Sequence, residues 1–84
     1  MILVTDAKKT IYINAKHIES VELSDDNEII MTLHEGEVHT LAKIQNRAHA
    51  QSVFDALGKR LGDSGRSTGD IISLKEIIDD ITED

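Results

Sequence analysis

The sequence predicts a small α+β protein: a strongly bent antiparallel sheet of about five strands packed by one amphipathic helix, then a flexible linker and a short C-terminal helix. Three observations carry this reading. Short runs rich in Ile, Val, Leu and Thr recur through the first 42 residues, each separated by polar turn formers, which is how hairpins are written in sequence. Near Asn46 the apolar period changes from two to about 3.6. The chain has 84 residues, enough for one domain and no more. The expected division is a domain over 1–62, a Gly/Ser linker over 63–70 and an acidic amphipathic helix over 71–84.

The first strand is read from Ile2 to Thr5 and ends at Asp6-Ala7-Lys8-Lys9. The second runs from Thr10 to Ile13, with Ile11 and Ile13 on one face, and Asn14-Ala15-Lys16 turns the chain. In the third, His17 to Leu23, Val21 and Leu23 share a face while Ile18 has the opposite parity, so a bulge near Glu19-Ser20 is expected. Ser24-Asp25-Asp26-Asn27 is the clearest loop, because short polar side chains hydrogen-bond their own backbone and tolerate left-handed conformations. The fourth strand, Glu28 to His34, directs Ile29, Met31 and Leu33 to the core. Glu35-Gly36 forms a two-residue turn and Glu37 to Ala42 returns, which places Leu33 opposite Val38 and residue 39 opposite 32.

The helix is expected from Asn46, its N-cap, to Leu61, with Ala50, Val53, Phe54, Leu57 and Leu61 covering the sheet. Gly58 weakens that helix unless it allows close approach to a strand. Residues 62–70 hold three glycines among small polar residues, the composition of a flexible tether. Ser73 and Glu76 have capping-box spacing, and Ile72 and Ile77 the spacing of a hydrophobic staple. They start a second helix, Leu74 to Thr82, whose apolar side is Leu74, Ile77, Ile78 and Ile81. Nine residues do not persist as a helix alone in water. That side must therefore fold back, cross to a second copy or enter a groove on another protein.

The formal net charge is -7. Residues 1–62 carry seven Lys/Arg against nine Asp/Glu, and residues 63–84 two against seven, so the tail is acidic. Nucleic-acid binding needs clustered Lys/Arg and stacking aromatics, whereas the aromatics here are Tyr12 and Phe54 alone. A regulatory nucleic-acid module would have to assemble Lys8, Lys9, Lys16, Arg47, Lys59 and Arg60 into one patch. The absence of Cys removes thiolate chemistry and disulfides and fits a reducing compartment. No apolar run reaches the ~18 residues of a membrane span, and the amino-terminal stretch turns acidic too soon for a signal peptide. An acidic helix is also repelled by anionic membranes. The expectation is a soluble, cytoplasmic chain without cofactors.

Four histidines raise a metal hypothesis. With a two-residue turn, His34 and His39 become diagonal neighbours on one sheet face, near Glu35 and Glu37. No HExxH or comparable second pair completes such a site. Asp25-Asp26-Asn27-Glu28 lacks the twelve-residue spacing of a calcium loop. No Gly-x-Ser-x-Gly elbow occurs, and Gly62 to Gly69 lacks the Lys of a phosphate-binding loop. No catalytic residues are assigned, and the chain is read as a non-enzyme.

The first 41 residues resemble the small FlbD-like (swarming-motility SwrD-like) flagellar proteins at Met1-Ile2, Thr5, Asn14, Ile18-Glu19-Ser20-Val21-Glu22, Ile30, Leu33 and Gly36. The resemblance covers about half the chain and implies a non-enzymatic protein associated with flagellar function. This sequence departs from it with Asp6-Ala7-Lys8-Lys9, where a Gly turn is usual, and with its helix and tail. More loosely, the chain is similar to small bacterial or phage proteins built of hairpins and a helix. The function expected from sequence is a non-catalytic protein–protein interaction or adaptor module. It self-associates as a dimer, or binds a protein partner, through Leu74, Ile77, Ile78 and Ile81. The alternatives are a metal- or ligand-binding domain on the His34/His39 hairpin and the nucleic-acid module.

Overall fold

A computed structural model describes residues 2–63 and 71–82. In chain order these form β1 (Leu3–Thr5), β2 (Tyr12–Asn14), a 3₁₀ turn (Ala15–His17), β3 (Ile18–Leu23), β4 (Glu28–Leu33), β5 (Val38–Lys43), α1 (Arg47–Asp63), β6 (Ile71–Ser73) and α2 (Leu74–Thr82). The class is α+β, as the alternation and its change of period predict. The single five-stranded sheet is not what forms. The described residues form two three-stranded sheets, ordered β2-β1-β6 and β3-β4-β5. The break falls where Asn14 Oδ1 accepts the Lys16 amide at 3.0 Å. That contact winds Ala15–His17 into a 3₁₀ turn, so β2 and β3 belong to different sheets.

β6 was not anticipated from sequence. It pairs parallel to β1, Leu3 with Ile71 through Thr5 with Ser73, while β2 pairs antiparallel on the other side of β1. Three residues between a glycine-rich stretch and a helix cap give no alternation to read, and a parallel partner 68 positions away in the chain leaves no local signal. Asp63 ends α1; the rest of the expected linker lies outside the described residues.

Both sheets and both helices share one core. Val4, Ile13 and Ile72 from the first sheet meet Ile29, Met31 and Leu41 from the second, with Ala50, Val53 and Leu57 of α1 and Leu74 and Ile77 of α2. Residues 71–82 are therefore part of the domain, and the expected boundary after residue 62 does not divide the core. Phe54, expected in the covering stripe, is half-buried and lies outside this cluster. At about 100° per residue it falls on the flank of a stripe centred on Val53 and Leu57. Asn46 caps α1 as expected, its Oδ1 accepting the His49 amide at 3.1 Å. Gly58 approaches no strand, since a Cβ built there meets nothing within 4 Å. Gly58→Ala is accordingly expected to stabilise the chain by about 0.5–1 kcal/mol, raising Tm by roughly 2–8 °C in a calorimetric scan. A lowered Tm would refute it.

The bulge expected near Glu19-Ser20 is present as a register shift between Ile18 and Ser20. A second shift makes Leu41 the extra residue of β5, so Leu41 and Ala42 are both buried in succession. The Leu41 carbonyl accepts the Ala7 amide at 3.0 Å, and the β1–β2 loop thereby covers this end of the β5 edge, a protection exposed edges commonly need. That loop is built on Asp6, whose carboxylate accepts Thr10 N and Thr10 Oγ1 at 2.7 Å each and Ile11 N at 3.4 Å. In the same loop Lys9 adopts φ 55°. No described helix is long and apolar enough to cross a membrane.

Candidate functional site

The geometry of the β4–β5 hairpin decides the histidine hypothesis. Gly36 N donates to Leu33 O at 2.9 Å and Leu33 N to Glu37 O at 2.7 Å, with Gly36 at φ 82°. This is a three-residue turn with a left-handed glycine, one residue longer than expected. Val38 consequently faces Thr32, and His39 faces Met31. A slip of one residue moves every side chain of β5 to the other face, so His39 lies on the Met31 side while His34 sits in the turn. The expected diagonal pair does not form.

His39 Nε2 instead lies 3.1 Å from Glu37 Oε2 at the surface. The His34 amide donates to the His17 carbonyl at 2.7 Å, joining the 3₁₀ turn to the hairpin tip. Two shallow clefts, of about 220 and 230 Å³, adjoin here and share His17, Leu33 and Glu37. Among the described residues no group of three or more His, Asp or Glu is placed to hold a metal ion. The chemistry within reach is that of two open clefts lined by both apolar and ionisable side chains.

The proposed contact residues of the tail have separate fates. Leu74 is 0% and Ile77 2% exposed, because α2 packs on α1 and β1 of its own chain. Ile78 and Ile81 are half-buried against the same core. Of the four residues read as an unpartnered apolar side, two are thus enclosed in cis and none stands fully exposed. Ser73 Oγ accepts the Glu76 amide at 3.4 Å, the forward half of the capping box.

The basic residues also occupy separate places. Lys8 and Lys9 are on the β1–β2 loop, Lys16 in the 3₁₀ turn, and Lys59 and Arg60 in the last turns of α1. Arg47 is engaged with the β3–β4 loop, donating from Nη1 to Ser24 O at 2.7 Å and Asn27 Oδ1 at 3.2 Å.

What sequence reasoning missed is the outer face of β3-β4-β5. The observed register sets Ser20, Thr32 and Val38 in one row and Glu22, Ile30 and Thr40 in the next, with Glu28 beside Lys43 beyond them. Ile29 and Met31 point the other way, into the cluster to which both helices contribute their buried residues. The outer face is therefore left to solvent among the described residues: Val38 is 58% exposed and Ile30 only partly covered. The signal was the pair of β-branched residues alternating with the core set in β4, Ile30 and Thr32. It was illegible without the register of β5, which alone adds Val38 and Thr40 to the same face.

This face lies in a second acidic span of the chain, besides the tail. Residues 18–43 hold seven of the 16 acidic residues and a single Lys or Arg, Lys43. The fold and this surface together define a small two-sheet α+β domain in which the outer face of β3-β4-β5 is open, while the β2-β1-β6 sheet also leaves Tyr12 and Ile71 exposed. No family model, curated protein or solved structure matches the chain.

Proposed function

We propose that the chain is a non-catalytic interaction module that binds polypeptide through the outer face of β3-β4-β5. One observation carries this reading: a face of β-branched side chains stays open although α1 and α2 are available to cover it, and both bury their residues on the opposite side. An exposed sheet face of this kind is common in antiparallel sheets and offers Ile30 and Val38, set among Thr and Glu side chains, to a partner. The reading relocates the interaction surface from the tail expected by sequence, because Leu74 and Ile77 serve the chain's own core. Among the described residues the one imidazole–carboxylate pair is His39 with Glu37, 32% and 67% exposed. A surface pair of that kind lacks the water exclusion that acid–base chemistry uses.

The test is site-specific photo-crosslinking with the probe at position 38 and, for comparison, at position 59, in the purified chain and in cells of its source. The expected result is a discrete polypeptide adduct, identified by mass spectrometry, from position 38 and none from position 59. An adduct with a second copy would make the module self-associating, and one with another protein would make it an adaptor. No adduct at 38, or equal labelling at both positions, overturns the reading.

A further inference from the structure

We infer that the partner segment on the outer face of β3-β4-β5 is cationic: a stretch of polypeptide carrying Lys or Arg beside small apolar side chains. This rests on the reading above and specifies its ligand. The observations are of two independent kinds, shape and charge. In shape, Ile30, Thr32, Val38 and Thr40 form a β-branched centre on one side of the sheet, with Val38 58% exposed. In charge, Glu22 flanks Ile30 on β3 and Glu28 lies one row on, across from Lys43.

The wider field has the same sign. Glu19, Asp25, Asp26, Glu35 and Glu37 are exposed around the same sheet, and Lys43 is the only Lys or Arg in residues 18–43. Potentials across an interface are complementary, and like charge placed against like disfavours the wrong partner. A second copy would bring the same acidic sheet and a net charge of -7 against itself. Nucleic acid and anionic membrane are repelled on the same ground. A basic segment satisfies Glu22 and Glu28 while its apolar residues cover Ile30 and Val38. Long Lys stems also lie well along apolar surface with their charge at the rim.

The experiment is a backbone-amide NMR titration of the full chain with a synthetic acetylated nine-residue peptide in which lysine alternates with valine. Its glutamate-for-lysine counterpart is titrated alongside, and Val38→Lys is repeated with the first peptide. The expected result is shift changes centred on residues 20–22, 28–32 and 38–43, with at least tenfold weaker binding of the glutamate peptide. Val38→Lys is expected to weaken the lysine peptide at least fivefold with an unchanged spectrum elsewhere. Shifts confined to Glu76, Asp79 and Asp80 of α2 would overturn the inference. Equal binding of both peptides on the outer face would overturn the cationic preference and leave the interaction reading standing. If neither peptide moves that face, the inference fails, and crosslinking from position 38 separately decides the module.

Discussion

Removing residues 71–84 is expected to abolish cooperative folding rather than to release an independent domain. The segment supplies Ile72, Leu74 and Ile77, which are 5%, 0% and 2% exposed, and β6, one of the two neighbours of β1. Each fully buried aliphatic side chain contributes about 1.5–3 kcal/mol. A domain of this size has roughly 4–13 kcal/mol of net stability in all. The single substitution Leu74→Ala is expected to cost about 2–5 kcal/mol and to lower Tm by at least about 8 °C. Circular dichroism against urea checks both. A truncated chain that unfolds with the full-length midpoint would show that the core closes without α2.

Asp6→Ala is the second large effect, at about 2–4 kcal/mol. It removes the acceptor of three hydrogen bonds and leaves the Thr10 and Ile11 amides unpaired in a loop that also donates from Ala7 to Leu41. Asp6→Asn, which keeps one acceptor oxygen without the charge, is expected to lose less. Burial by itself raises the Asp6 pKa, but the bonds from the Thr10 hydroxyl, the Thr10 amide and the Ile11 amide outweigh it and hold the carboxyl below its ordinary 3.8. The folded state therefore takes up this proton at lower pH than the unfolded chain. The contribution is full above 3.8 and is lost as pH falls through the folded value. Urea midpoints of wild type and Asp6→Ala should differ most near pH 6 and converge in stronger acid. A gap that stays constant down to pH 2 would refute the assignment.

Much of the fold is legible residue by residue, and the failures have common causes. Ile29 and Met31 of β4 and Ala50, Val53 and Leu57 of α1 are core in the structure because period-two and period-3.6 spacing depend on backbone geometry alone. The Asn46 cap and the Ser24–Asn27 loop follow from short polar side chains bonding nearby amides. The same local logic misled at Glu35-Gly36, where a two-residue and a three-residue turn both place Gly at positive φ. That ambiguity of one residue displaced His39 from the predicted face. It also hid the candidate site, since Val38 and Thr40 join Ile30 and Thr32 only in the observed register.

The sequence by itself determined the α+β class, the change from strands to helix near Asn46, the helical tail after Ser73 and the net acidity, all properties of neighbouring residues. Tertiary structure alone decided that the strands divide into two sheets, that β6 pairs with β1, and that Leu74 and Ile77 close their own core. It also decided that the acidic, β-branched side of β3-β4-β5 faces outward. Those outcomes depend on which distant surfaces bury one another most completely, and apolar burial has no direction in sequence: Ile77 reads the same whether its partner is α1, a second copy or another protein.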